Sequence, residues 1–420
     1  MIKKVFVLVN NLIVYFANFF IWRTKKIWLF GSWMGNQFSD NTRYLFMYLN
    51  EKKSEYNIKK VVWFTRNKSV YRRLRNHGYN AVYSRSLVSI YYHLKSGVHI
   101  ISNAAHNHGN RTSDLLCNLS FNAIKIQLWH GVGIKAVGGL SNNQVPQRNF
   151  ESRFLKYLLT KQILGSPGGW HSCFWLATSK ENARVVSLDQ RVISEKIIIT
   201  GYPRMVPNKK KLSDEITIIE KIQKIKSKFK LAVLYFPTFR KDGGINNEII
   251  HPLLINGVSQ YLRDMNILWI EKKHSIYSSN QENYEIVDNI LNLNSALDSS
   301  LLLELMVPNR DILLTDYSSI SSDAIYKGLK TLYYVPDYDQ YLNEDRGFVA
   351  DFEDYSPGYT IKMQSQFIDY MEKTIDSENY IKKYGSKYRN TQKLLFDDNI
   401  YITNMDEIMK SILKKIGRNV

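Results

Sequence analysis

Short stretches that are apolar at every position, rather than at alternate ones, punctuate this sequence: IWLFG (27–31), KVVWFT (60–65), NAVYS (80–84), VHIIS (98–102) and IKIQLW (124–129). A strand with one face in water alternates apolar and polar side chains, because successive Cβ atoms point to opposite faces. A strand that is apolar throughout needs cover on both faces, the condition of a parallel sheet between helical layers. Amphipathic segments at 41–52 and 68–77 lie between these strands and supply that cover as helices. The pattern restarts after a basic, proline-containing stretch, GYPRMVPNKKKLSDE (201–215). A helix is expected at 214–229, then strands LAVLYF (231–236), ILWIE (267–271), DILLT (311–315) and TLYYV (331–335). Two βα series in a chain of 420 residues predict an α/β protein of two doubly wound, Rossmann-like domains facing a cleft. The expected domains are 27–203 and 204–385, with a helical segment at 386–420 packing near their boundary.

Residues 5–22, VFVLVNNLIVYFANFFIW, form an apolar run flanked by Lys3 and Lys4 and by Arg23, Lys25 and Lys26. They carry no small-residue cleavage site of a signal peptide. At about 100° per residue, Lys3, Lys4, Asn10, Asn11 and Asn18 gather on one side of a helix. A polar stripe on an apolar helix suits the membrane interface better than a span; packing on the protein's own surface is the other reading. Segment 1–26 is therefore expected to associate with a membrane. The 57 Lys and Arg against 38 Asp and Glu, a formal +19, favour a polyanionic partner: nucleic acid, anionic lipid or a phosphate-rich substrate. No helix-turn-helix, zinc-finger or RNP-like signature accompanies the charge, so nucleic acid is not expected. Cys117 and Cys173 alone make neither a disulfide framework nor a zinc site, which fits a reducing compartment.

Ligands of open parallel sheets bind beyond the carboxyl ends of the strands, and polar clusters stand at those positions. His130 follows the strand expected to end at Trp129, and Gly131 and Gly133 give the backbone freedom to turn and room for a substrate. An imidazole titrates near neutrality and can take a proton from a hydroxyl; capping the next helix is its plainer role. Thr238 and Arg240 follow LAVLYF, and Lys272, Lys273 and His274 follow ILWIE. Thr315, Asp316, Ser318 and Ser319 close DILLT, where Ser318 or Ser319 is expected to cap a helix whose free N–H groups would seat a phosphate. Asp323, one turn on, is placed to accept from ribose hydroxyls. The DYD at 337–339 resembles an acidic metal pair, but the basic groups already supply a phosphate site, and neither a metal nor a cofactor is expected.

These residues in this order resemble the CDP-glycerol glycerophosphotransferase family, the teichoic-acid primases and polymerases. LWHGVGIKAVG (128–138) is similar to the family's WHG-xx-K-xxG stretch, with Gly131 and Lys135 in place. GNQFSDNTR (35–43), with Asp40 and Asn41, is similar to its G-xx-(Y/F)SDN-xR element; GYPR (201–204) with Arg204, PTFR (237–240), KKH (272–274), TDYSS with Asp323, and RGF-x-x-DFE from Arg346 continue the pattern. The resemblance implies a GT-B-type fold, a CDP-linked polyol phosphate donor and a lipid-linked or polymeric acceptor, met by a peripheral or monotopic protein at the cytoplasmic face of the membrane. It implies that His130 deprotonates the acceptor hydroxyl and that His274 binds or polarises the transferred phosphate. Arg240 and the Ser318–Ser319 helix end would hold the pyrophosphate, and Asp323 the ribose. Asp40, Asn41, Arg204, Thr238, Lys273 and Arg346 complete the expected substrate contacts. The chain departs from many members at Val132–Gly133, where Thr-Pro is usual, and at Lys272–Lys273. Ribitol phosphate or a sugar nucleotide on the same scaffold is the alternative donor; a basic anionic-lipid or nucleic-acid binding protein is the non-enzymatic alternative.

Overall fold

The computed structural model describes residues 16, 20–103, 113–116, 119–120, 122–136, 173–190, 192–238, 249–272, 284–293, 297–344, 347–397 and 404–417. The chain divides into two compact units, one of Met1–His130, Val145–Lys210 and Ile402–Val420, the other of Gly131–Gln144 and Lys211–Tyr401.

Unit 1 is built on β1 (Thr24–Phe30), α1 (Asp40–Lys52), β2 (Lys60–Thr65), α2 (Lys68–Asn76), β3 (Ala81–Tyr83), α3 (Leu87–Lys95), β4 (Ser96–Ile101), β5 (Ile124–Gln127), β6 (Phe174–Ala177), α4 (Lys180–Gln190) and β7 (Ile197–Ile199). The strands form one sheet in the order β3-β2-β1-β4-β5-β6-β7, parallel at every pairing. Chain order therefore reverses between β1 and β4, the switch point at which such sheets bind ligands. Apolar strands are buried as their composition requires: Trp28, Leu29, Phe30, Val61, Val62, Trp63 and Phe64 are all inaccessible. The α1 side chain Phe46 packs edge-on against Trp63, ring centroids 5.3 Å apart, and Phe38 meets the same indole at 4.7 Å. Helix starts follow capping chemistry. Asn67 accepts from Ser69 N and Val70 N at α2, and Ser86 accepts from Ser89 N at α3.

Unit 2 comprises α5 (Ser213–Lys226), β8 (Leu231–Phe236), α6 (Val258–Asp264), β9 (Ile267–Lys272), β10 (Tyr284–Val287), β11 (Ile290–Leu293), α7 (Ser299–Glu304), β12 (Ile312–Thr315), α8 (Ile320–Tyr326), β13 (Lys330–Tyr334), α9 (Tyr338–Glu344), α10 (Phe352–Tyr355), β14 (Tyr359–Ile361), α11 (Phe367–Ile375) and α12 (Ser377–Phe396). Its sheet runs β10-β11-β9-β8-β12-β13-β14, parallel except for the β10–β11 hairpin, and switches direction at β8/β12. Asp311, fully buried before β12, pairs with Lys226 and accepts from Ala232 N and Val307 N, which ties α5 and β8 to the start of that strand.

The last helix, α13 (Met405–Lys415), belongs to unit 1. It buries Met405, Ile408, Met409, Ile412 and Leu413, and its Asp406 accepts from the Tyr48 and Tyr56 hydroxyls. The sequence pattern places the domain junction at 203/204; in the structure it falls at Lys210/Lys211, and segments 131–144 and 402–420 each join the other unit. Among the described residues no helix is long and apolar enough to cross a membrane, and residues 5–15 lie outside them.

Candidate active site

In unit 1 the strand expected to run to Trp129 stops at Gln127. The Gln127 side-chain oxygen accepts from Trp129 N, and Trp129 takes φ +57°. The left-handed turn thus falls on Trp129, not on Gly131 or Gly133, neither of which has a positive φ. Its position is held by Asn41, whose side-chain amide donates to Leu128 O at 3.1 Å and Trp129 O at 2.8 Å. Arg204 donates to the His130 carbonyl at 2.5 Å and to Asp40 Oδ1 at 2.8 Å, and Arg204 N donates to Asn41 Oδ1. Asp40 Oδ2 in turn accepts from Trp33 Nε1 at 2.5 Å. Asp40, Asn41 and Arg204 are all buried. Through these bonds the three fix the peptide that carries the histidine.

The imidazole is half-buried between Trp129 and Trp33, with ring centroids 4.2 Å and 5.7 Å away. His130 Nδ1 lies 3.2 Å from Ser102 O. A carbonyl only accepts, so in the neutral ring Nδ1 carries the proton and the lone pair resides on Nε2. Ser102 is itself held. Its hydroxyl meets Ser32 at 2.9 Å across the ends of β1 and β4, and its N–H donates to Asp114. Asp114 also accepts from Met34 N and Asn103 N. Burial pushes its carboxyl up to about 6, against those backbone hydrogen bonds, which lower it. Neither Asp114 nor Trp33 stands out in the sequence, because neither sits at a spacing tied to a motif.

Among the described residues eleven non-glycine positions have positive φ, and eight of them are Asn or Asp, which tolerate that region. The other three are Trp33, Met34 and Trp129, two of them with rings tilted against His130 and the third bonded to Asp114. Backbone strain of this kind collects at functional sites.

In unit 2, residues 131–136 form a loop against 347–349. Val349 N donates to Ile134 O at 2.7 Å, Ala136 N donates to Gly347 O at 3.1 Å, and Lys135 bridges Phe348 in antiparallel fashion. Two motifs 215 positions apart in sequence are thereby joined by backbone hydrogen bonds (Ile134 to Val349). Ser322 Oγ donates to Val132 O at 2.5 Å. A Cβ on Gly133 would come within 3.3 Å of the Ser319 Cβ, a tight contact, so this glycine serves close approach rather than a turn. A small cavity lies there, lined by Gly133, Ile134, Asp316, Ser318, Ser321 and Ser356 among others.

The serines do not cap the helix. Ser319 is the N-cap residue of α8 but sits in the helical region and makes no side-chain cap bond, while Ser318 O accepts from Ser321 N and Oγ. Thr315 is fully buried and donates to Phe236 O at 2.6 Å, and Asp316 accepts from Thr238 N through both oxygens, at 2.9 and 3.0 Å. These groups brace the β8/β12 switch point. Asp323 is buried in the first turn of α8. Lys272 also turns inward, toward Leu297 O and Ser299 Oγ. Of the DYD triplet, Asp337 accepts from Tyr317 OH at 3.0 Å. Arg240, Lys273, His274 and Arg346 lie outside the described residues.

The first of the relatives compared is the teichoic acid poly(glycerol phosphate) polymerase of Bacillus spizizenii, 26% identical across 94% of this chain and 93% of its own. The teichoic acid glycerol-phosphate transferase of Staphylococcus aureus is likewise 26% identical, across 84% and 85%. The fold resembles that of the wall teichoic acid polymerase TagF, with a TM-score of 0.65 at 17% identity, covering 94% of this chain and 90% of that one. Residues 13–398 match the family described as CDP-glycerol:poly(glycerophosphate) glycerophosphotransferase, and the chain belongs to that family.

Proposed function

We infer that this chain transfers glycerol phosphate from CDP-glycerol to a hydroxyl of a glycerol-phosphate acceptor and releases CMP, in the synthesis of a teichoic-acid-like polymer. The family match over residues 13–398 supports the reaction class. The observation that carries the mechanism is the His130 Nδ1 bond to Ser102 O, which reserves Nε2 as the basic nitrogen. The acceptor O–H gives its proton to Nε2 as its oxygen attacks the β-phosphorus, and the bond to the CMP oxygen breaks. Transfer of this type depends on positioning and charge neutralisation more than on covalent chemistry. The cavity beside the 131–136 loop, lined by Ser318 and Ser321 among others, supports reading this loop as the seat of the phosphates. Following the family resemblance, Arg240, Lys273 and Arg346 supply positive charge, His274 polarises the transferred phosphate and Asp323 holds the ribose. The acceptor is lipid-linked, and the protein works against the cytoplasmic face of an anionic membrane.

The donor is tested by incubating the purified protein with CDP-glycerol, CDP-ribitol or a sugar nucleotide and a lipid-linked acceptor, then weighing the product. Mass increments of glycerol phosphate, with CMP released in equal number, are expected. Consumption of CDP-ribitol or a sugar nucleotide in preference to CDP-glycerol would replace the donor assignment.

A further inference from the structure

A buried carboxylate needs a reason to be where it is, because burial disfavours its charge. Asp114 is 1% exposed, and its two oxygens accept from three backbone N–H groups. Oδ2 takes Ser102 N at 2.9 Å and Asn103 N at 2.7 Å, just past the end of β4. Oδ1 takes Met34 N at 2.8 Å, in the turn that follows β1. β1 and β4 are neighbours in the sheet and flank its switch point. Both segments bear on His130. Ser102 supplies the carbonyl that faces Nδ1, and Trp33, beside Met34, has its ring centroid 5.7 Å from the imidazole. One carboxylate thus holds both segments that meet the ring.

The carboxylate is itself fixed. The next residue, Leu115, is buried in a cluster with Leu29, Val62, Phe64 and Val82. The Asp114 carbonyl lies so near Gly31 that a Cβ there would come within 2.4 Å of it. Arg66 donates to Ser113 O at 2.7 Å and to Met34 O at 2.5 Å. Both backbone groups of Met34 are therefore taken, its N–H by Asp114 and its carbonyl by Arg66. Trp33 and Met34 are consecutive left-handed residues, at φ +43° and +56°, a conformation that large L-residues keep only where partners impose it. An asparagine at 114 could not do the same work. It offers one acceptor oxygen, and its amide would turn N–H toward N–H on the other side.

We propose that Asp114 is a positioning residue for the transfer reaction, acting through His130: by holding Ser102 and Met34 it fixes the proton on Nδ1 and the angle of the ring, and keeps Nε2 free for the acceptor hydroxyl. This rests on the reading of His130 as the base. A carbonyl displaced from Nδ1 would let the neutral ring take its other tautomer, with a proton already on the nitrogen that must receive one. The loss falls on the chemical step rather than on donor binding, because Asp114 is buried and bonds to backbone N–H groups of its own unit.

The test uses the full chain and compares CMP release from CDP-glycerol, with a soluble glycerol-phosphate acceptor, by wild type, Asp114→Asn, His130→Ala and the double variant. Asp114→Asn should lower kcat about 10- to 100-fold with the donor KM within a few-fold of wild type. Added to His130→Ala, it should change the residual rate by less than about twofold, because both changes act through one group. Equal losses in the two backgrounds would make Asp114 a structural residue, and an unaltered kcat would remove it from the reaction; either overturns the proposal and leaves His130 as the base. Wild-type turnover by His130→Ala would overturn the reading of the base, and the proposal with it. The ring nitrogens give a second readout, in ¹⁵N spectra of the neutral ring whose His130 signals are identified by their loss in His130→Ala. Nδ1 should carry the proton in wild type and share it with Nε2 in Asp114→Asn; a lowered kcat with the tautomer unchanged would overturn the proposal. Should Asp114→Asn not fold, Arg66→Gln withdraws the donor to Met34 O and Ser113 O. It should lower kcat in the wild-type background and add little in His130→Ala, and an unaltered kcat there would equally overturn the proposal.

Discussion

Trp129 adopts a left-handed backbone that costs a large L-residue roughly 1–2 kcal/mol, and it does so to present His130 beyond β5. The sequence marks the histidine, because it interrupts an apolar run, but assigns the turn to the neighbouring glycines. A propensity argument misplaces strain for a simple reason: strain is imposed by distant partners, here Asn41 and Arg204, which hold the carbonyls on either side. Asp114 is invisible for the same reason. Its effect is nevertheless measurable. Its carboxyl is raised to about 6 by burial, so between about pH 4 and 6 the folded protein binds this proton more tightly than the unfolded chain does. Stability from this group is therefore greatest at low pH and declines as pH rises from about 4 to about 6, by about 3 kcal/mol in total. In thermal melts the Tm of wild type minus that of Asp114→Asn should shrink between pH 5 and 7. A gap that is constant or widens would contradict this.

Among the elements, β2 and β8 are legible to the residue, since a strand buried on both faces is apolar from end to end. β6, β7 and β14, of three or four residues each, are not read from the sequence. The pairing of 131–136 with 347–349 is equally hidden, being a matter of backbone rather than side-chain pattern. Gly133 of this loop lies close against Ser319. Gly133→Val should push the loop off Ser319 and lower turnover about 100-fold, as a displacement near 1 Å does at a positioned site, with the Tm little changed. Turnover near wild type would detach this loop from the reaction. α13 offers a second test: Asp406→Ala removes the acceptor of two tyrosine hydroxyls and should cost about 1 kcal/mol. Chemical denaturation reads this directly, and an unchanged midpoint would show that the apolar face of α13 alone holds it.

For the whole molecule, the sequence announces two parallel sheets through its restart after residue 201, and both sheets wind outward from a central switch point. What it does not announce is the exchange of segments 131–144 and 402–420 between units, which tertiary packing decides. The consequence is chemical. The division of the chain falls between His130 and Gly131, so the proposed base and the loop beside the serine hydroxyls occupy consecutive stretches of one motif. The account stands or falls on His130 Nε2 accepting the proton of the attacking hydroxyl. The direct measurement is CMP release from CDP-glycerol by His130→Ala with a soluble glycerol-phosphate acceptor. Turnover should fall by about 10²–10⁴-fold, with the donor KM within a few-fold of wild type. Turnover within a few-fold of wild type would contradict the assignment.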